Sequence, residues 1–266
     1  MSEGESRVTL HYQEAGAGRP VVFVHGWAMS GRAWRFQQEL ADAGRLIFLD
    51  LRGHGHSAPA PSYTIDDYAS DLAAFFEELA LQDAVLVGWS MGVQVALQAF
   101  PALRPRLAGM VLVGGNARYA STDDYPHGKP PVEVKGMGLR LRRDHQKTMG
   151  DFFKGMFAEG ELDHALYQRI VHGIVMGGRS ADPEAVMQSL NILSTADLRE
   201  QLPQVDRPVL VVHGELDTVC PAAASTYLAQ RLPMARLEIF QGCGHAPFMT
   251  RPERFNELFR NFLEAL

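Results

Sequence analysis

Short apolar runs alternate along this chain with longer segments of mixed polarity. Six runs stand out, at 21–24, 46–49, 84–87, 110–113, 209–212 and 237–240. Strands covered on both faces read as near-continuous apolar runs, and helix-length segments lie between these six. The pattern predicts an α/β fold, a mostly parallel sheet with helices on both faces. Residues 8–12 alternate apolar and polar instead, which predicts an antiparallel edge strand. Helices are expected over 65–79, 91–100, 222–231 and 252–263.

The rhythm breaks between about 116 and 194, where no strand pattern occurs. The expected organisation is a core domain built from 1–115 and 195–266, with a helical cap inserted as 116–194. An excursion of that size is usually functional, and at the C-terminal edge of a parallel sheet it is placed to cover a site. On a helix through 139–157, Met149, Phe152, Phe153 and Met156 would share one face, suited either to burial or to an acyl chain. The opposite face would carry Arg140, Arg143, Lys147 and Lys154, with Asp144 and Asp151 among them. Residues 135–154 hold six basic side chains against two acidic ones. That excess suits either a solvated face or an acidic partner.

The chemistry concentrates at the ends of the apolar runs. Gly88-Trp-Ser-Met-Gly92 joins the run at 84–87 to a helical pattern. Between a buried strand and a helix, Gly-x-Ser-x-Gly makes a sharp turn. Its glycines let strand and helix pass closely while the serine hydroxyl projects. A serine hydroxyl is a poor nucleophile until a base takes its proton. Of ten histidines, His245 is best placed, in the glycine-flanked loop after the last run. His54, His56, His164 and His172 are expected in solvated or capping roles. Asp217 follows the run at 209–212 and would orient that imidazole; Glu215 is the rival acid. The backbone N–H groups of Met91 and Trp27 would form an oxyanion hole. His25 and Arg52 are expected to brace neighbouring loops.

Composition narrows the reading further. A formal charge of −6 and pI near 5.9 argue against nucleic-acid binding. No stretch nears the roughly 20 apolar residues of a membrane span. The polar residues 1–7 lack a signal peptide's apolar region, so a cytoplasmic, non-membrane protein is expected. The two cysteines, Cys220 and Cys243, are too few for a disulfide framework and are expected as free thiols.

His25-Gly-Trp27, Arg52-Gly-His-Gly-His-Ser57, Gly88-Trp-Ser-Met-Gly92, Asp217 and Gly244-His-Ala-Pro-Phe248 together resemble the α/β-hydrolase superfamily. The order Ser90, Asp217, His245 is also that of this superfamily. More narrowly, the motifs are similar to those of pimeloyl-acyl-carrier-protein methyl ester esterases of biotin synthesis, although Val93 stands where that family often has glycine. The resemblance implies a serine carboxylesterase with Ser90, Asp217 and His245 as triad, Trp27 and Met91 as oxyanion donors, and an acyl-enzyme intermediate. Substrate contacts are expected from Trp27, Trp89, Phe152, Phe153, Met156 and Phe248, and carrier contacts from Arg140, Arg142, Arg143 and Lys147. No metal or cofactor is expected. The partner is a small or carrier-bound ester, with acyl carrier protein as candidate, and a monomer is favoured. The competing readings are a general short-chain carboxylesterase, a cofactor-free perhydrolase, and a ligand receptor that retains the triad.

Overall fold

The computed structural model describes residues 8–266; the polar stretch 1–7, on which the expectation of no signal peptide rests, lies outside them. Seven strands form one sheet: β1 (Tyr12–Ala15), β2 (Pro20–Val24), β3 (Arg45–Leu49), β4 (Ala84–Trp89), β5 (Leu107–Val113), β6 (Val209–Gly214) and β7 (Ala235–Phe240). Their order is β1-β3-β2-β4-β5-β6-β7, and every pairing is parallel except β1 with β3.

The edge strand expected over 8–12 is shifted: Tyr12 pairs with Leu49 and Ala15 with Leu46. Residues before Tyr12 bond to a turn instead of a strand. The His11 N–H donates to Ser57 Oγ (2.8 Å), the His11 carbonyl accepts from Asp50 N (2.9 Å), and its ring meets the Asp50 carboxylate (2.9 Å).

Alternating side chains of each strand face opposite sides of the sheet. Val22, Val24, Ile47 and Leu49 join one core with Leu72 and Phe76 of α1 (Ile65–Glu78), Val95 of α2 (Met91–Leu103) and Leu228 of α7 (Ala222–Arg231). Val21, Phe23, Leu46 and Phe48 join the other with Trp34, Phe255 and Phe259. Each fully buried large apolar side chain contributes about 1.5–3 kcal/mol. The second core is closed by α9 (Pro252–Glu264) and by a 3-10 segment, Gly31–Asp42, which the sequence pattern did not predict. Trp34 leaves helical geometry in its middle (φ −89°, ψ 18°), so it follows no single helical period.

Residues 116–194 add no strand to this sheet and carry α3 (Pro131–Arg143), α4 (His145–Gly155), α5 (His164–Ile170) and α6 (Pro183–Thr195). The single helix expected over 139–157 is two. Asp144 is extended (φ −155°, ψ 91°) and its side chain accepts from Lys147 N at 3.0 Å, capping the second helix. The two roots of the insertion are tied together by Leu198 N donating to Ala117 O (2.9 Å) and by ion pairs from Asp197 to Arg118 and Arg199. Among the described residues, no helix is long and apolar enough to cross a membrane.

Candidate active site

Ser90 stands between β4 and α2, as the residue capping α2, with φ 56° and ψ −117°. A side chain held in that region costs on the order of 1–3 kcal/mol. Its surroundings leave no relaxed alternative. A Cβ on Gly88 would lie 2.5 Å from Gly92 O, and one on Gly92 would lie 2.6 Å from Val24 O. Ser90 N donates to Val113 O (2.9 Å), locking the turn to β5. Val93 fits where the related family often has glycine because Gly115 leaves it room: a Cβ there would come within 2.4 Å of its side chain. The N–H of Met91 opens α2, where no intrahelical acceptor exists. The loop carrying Trp27 lies against the same turn: a Cβ on Gly26 would be 3.1 Å from Ser90 Cβ.

The loops after β6 and β7 meet beside it. His245 Nδ1 is 2.8 Å from Asp217 Oδ2, and both residues are buried. Asp217 Oδ1 accepts from the N–H groups of Val219 and Cys220, both at 2.8 Å. Burial alone would raise the Asp217 pKa, but the facing His245 and His213 imidazoles hold the carboxyl well below its usual range. His245 Nε2 is buried with no hydrogen-bond partner among the described residues, so the Nδ1–H tautomer leaves it free to accept a proton. The His245 carbonyl accepts from Trp89 Nε1 (3.0 Å).

A cavity of about 310 Å³ opens beside Ser90. Val134, Met137, Leu190, Leu193 and Val219 make its apolar wall, and Lys129, Glu133, Arg140 and Asp151 bring charge to it. Three walls thus come from the insertion, through α3, α4 and α6. Trp27 and Phe152 line it too, ring edge to ring face at 4.9 Å and 85°. Trp27 Nε1 also donates to Val186 O of α6 (3.0 Å), anchoring the insertion over the loop.

The chain matches the family described as alpha/beta hydrolase fold over residues 19–252. It belongs to the α/β-hydrolases. It is 33% identical over 252 residues to a pimeloyl-[acyl-carrier protein] methyl ester esterase of Nitrosomonas europaea, a match covering 94% of this chain and 98% of that relative. Among solved structures, an esterase of Exiguobacterium antarcticum superposes with TM-score 0.89 at 28% identity, covering 97% of this chain and 96% of the other. A bromoperoxidase of Bacillus anthracis gives TM-score 0.87 at 29% identity, with the same coverage. The fold family and its esterase relatives mark the protein as a carboxylic ester hydrolase.

Within this α/β-hydrolase, only some of the expected substrate contacts reach the cavity. Trp27 and Phe152 do. Trp89, Phe153, Met156 and Phe248 do not line it; they are packing residues, none more than 9% exposed. Phe248 packs on Trp34 (4.2 Å) and Phe153 on Phe157 (5.4 Å). Phe153 and Met156, three positions apart, share a face that packs into the second core, while Phe152, one position from Phe153, is turned about 100° away and reaches the cavity. Of the four expected carrier contacts, Arg140 lines the cavity, while Arg142, Arg143 and Lys147 are exposed outside it.

His25 braces its loop, with Nδ1–H toward Gly26 O (2.8 Å) and Nε2 accepting from Leu51 N (3.0 Å); burial lowers its pKa and keeps it neutral. Arg52 grips Asp71 through two hydrogen bonds (2.6 and 2.7 Å) and donates to Ser62 O (3.0 Å). His54, expected in a solvated or capping role, is fully buried; its Nδ1 meets Arg52 O (2.8 Å), and burial lowers its pKa to about 3. Glu215 accepts from Gly242 N (3.0 Å), a local loop contact.

The sequence reading missed His213. Its Nε2 lies 2.8 Å from the Cys220 carbonyl and 3.1 Å from Asp217 Oδ2, both acceptors, so this nitrogen carries the proton and the carboxylate gains a fourth donor. Leu190 and Leu193 were also missed, although their three-residue spacing on α6 signals one shared face.

Cys220 and Cys243 are both buried free thiols, and burial pushes both pKa values up. Thiol titration should find two groups in denaturant and only slow reaction in the native protein, since the thiolate is the reactive form. Finding neither in denaturant, with the mass of an internal bridge, would overturn this assignment.

Proposed function

We propose that the protein is a pimeloyl-[acyl-carrier protein] methyl ester esterase acting through Ser90, His245 and Asp217. The carrying observation is the cavity, which places Ser90, an apolar wall and Arg140 together beneath inserted helices with further cationic groups outside. Those helices are the cap. The likeness to the Nitrosomonas europaea esterase supports the same reading.

In this mechanism Ser90 Oγ attacks the ester carbonyl carbon while His245 Nε2 takes the hydroxyl proton. Asp217 holds the imidazole by Nδ1 and stabilises its positive charge. The N–H groups of Met91 and Trp27 receive the oxyanion. Collapse breaks the bond to the methoxy oxygen, which leaves as methanol with the proton from His245. Water, deprotonated by the same nitrogen, then cleaves the acyl-enzyme and restores Ser90. The apolar wall takes the acyl methylenes. Arg142, Arg143 and Lys147, at the junction of α3 and α4, attract an acidic carrier.

Reversing Arg142, Arg143 and Lys147 to glutamate should lower kcat/KM for a carrier-linked methyl ester about tenfold or more at low salt. A small neutral ester should be hydrolysed almost as before. The carrier reaction should also weaken with added salt, because exposed charges are screened over about 8–10 Å at physiological ionic strength. Equal losses on both substrates, or none on either, would remove the carrier from the reading. Restoration of growth to a biotin auxotroph lacking its methyl esterase tests the assignment as a whole.

A further inference from the structure

We propose that the cap takes part in the chemistry by gripping the His245 loop, with Glu161 as its positioning residue; this rests on the triad reading above. The helices of the cap are usually expected to choose the substrate while the core performs the reaction. Here the stretch 155–161, from the last residue of α4 onward, is bonded to both loops that carry triad members. Met156 O accepts from His245 N at 2.7 Å. Gly155 O accepts from Thr218 Oγ1 (3.2 Å), next to Asp217.

Glu161 completes the grip. Glu161 is buried, at 6% exposure, and among the described residues its carboxylate makes no ion pair. Oε2 accepts from Ala158 N (2.7 Å) and from Gly244 N (2.9 Å), the residue before His245. Oε1 accepts from Thr250 Oγ1 (2.5 Å) of the one-turn helix α8 (Pro247–Thr250). A buried carboxylate is costly unless its oxygens are satisfied, and here three donors satisfy it, one of them in the His245 loop. The fit is close: a Cβ on Gly244 would come within 2.5 Å of Met156 O and 2.9 Å of Ala158 N. On the other side, Trp89 Nε1 holds the His245 carbonyl at 3.0 Å. The histidine backbone is therefore clamped between core and cap. A lid swinging freely on the roots at 117 and 198 would carry it away from Ser90.

Replacing Glu161 by alanine removes the Gly244 restraint without touching the cavity lining. A misplacement of about 1 Å at a catalytic group costs on the order of 100-fold. Glu161→Ala should therefore lower kcat on a small neutral ester by about 10–100-fold, with KM changed little. The low-field proton resonance of the His245–Asp217 hydrogen bond should broaden or vanish. Glu161→Gln should recover most of the rate: its carbonyl oxygen can still accept from Ala158 N and Gly244 N, while its amide donates to Thr250 Oγ1. If the alanine variant does not fold, Glu161→Asp, one methylene short of Gly244 N, should show the same loss in kcat. A native kcat and an unchanged low-field proton in a folded Ala or Asp variant would overturn the proposal, as would a glutamine variant no better than alanine. Ser90→Ala measured alongside separates the two readings. An active Ser90→Ala protein sinks the triad, whereas an inactive one beside a fully active Glu161→Ala protein sinks only the clamp.

Discussion

Replacing Ser90 by alanine should leave a folded protein whose kcat on any carboxylic ester is lower by about 10⁶-fold, the scale seen when a triad acts as a unit. That factor corresponds to about 8 kcal/mol of transition-state stabilisation. The substitution deletes one oxygen from a partly exposed position and keeps a Cβ, so the strained turn is neither relieved nor worsened. Gly88 and Gly92 still let β4 and α2 pass, and Ser90 N contributes its bond to Val113 O through the backbone, which alanine retains. Binding should persist because the cavity wall is intact. Steady-state rates with circular dichroism as a folding check test this. A folded variant with near-native turnover would place the nucleophile elsewhere.

Asp217→Asn should cost about 10⁴-fold in kcat, and the geometry states why. Two of the carboxylate's donors are the backbone N–H groups of Val219 and Cys220, which cannot turn away. The asparagine must therefore keep its oxygen there and direct its NH₂ at His245 and His213. Donation to His245 Nδ1 forces the imidazole into its Nε2–H tautomer, whose Nε2 no longer accepts the Ser90 proton. Raising the pH cannot restore the base, because the fault is a tautomer and not a protonation state. Activity comparable to the parent across the pH profile would rule this out. His213→Ala is instructive beside it: the carboxylate keeps its bond to His245 but loses a donor.

The runs at 21–24, 46–49, 84–87, 110–113 and 209–212 became strands because a strand buried on both faces must be apolar throughout, while 237–240 became the half-buried edge strand β7 and tolerates Glu238. The turn at Ser90 was equally legible, since its constraint lies within five residues. The helix break at Asp144 was not, because a continuous helix and a capped break have similar local composition. Phe153 and Met156 pack into the core and do not line the cavity, because neighbouring Phe152 and Phe153 stand about 100° apart on α4 and cannot share one face.

The sequence by itself determined the layered α/β plan, the glycine-flanked turn at Ser90, and the placing of Asp217 and His245 in the loops after β6 and β7. Each depends on a local period or on a residue at the end of a strand. Only the tertiary structure decided that His213 shares Asp217, that Leu190 and Leu193 wall the cavity, and that Glu161 reaches the loop of His245. Glu161 and Gly244 lie 83 positions apart, and Glu161 and Thr250 lie 89 apart. No local pattern encodes such pairs. They form because a buried carboxylate must find donors wherever packing of the cap against the sheet edge brings them.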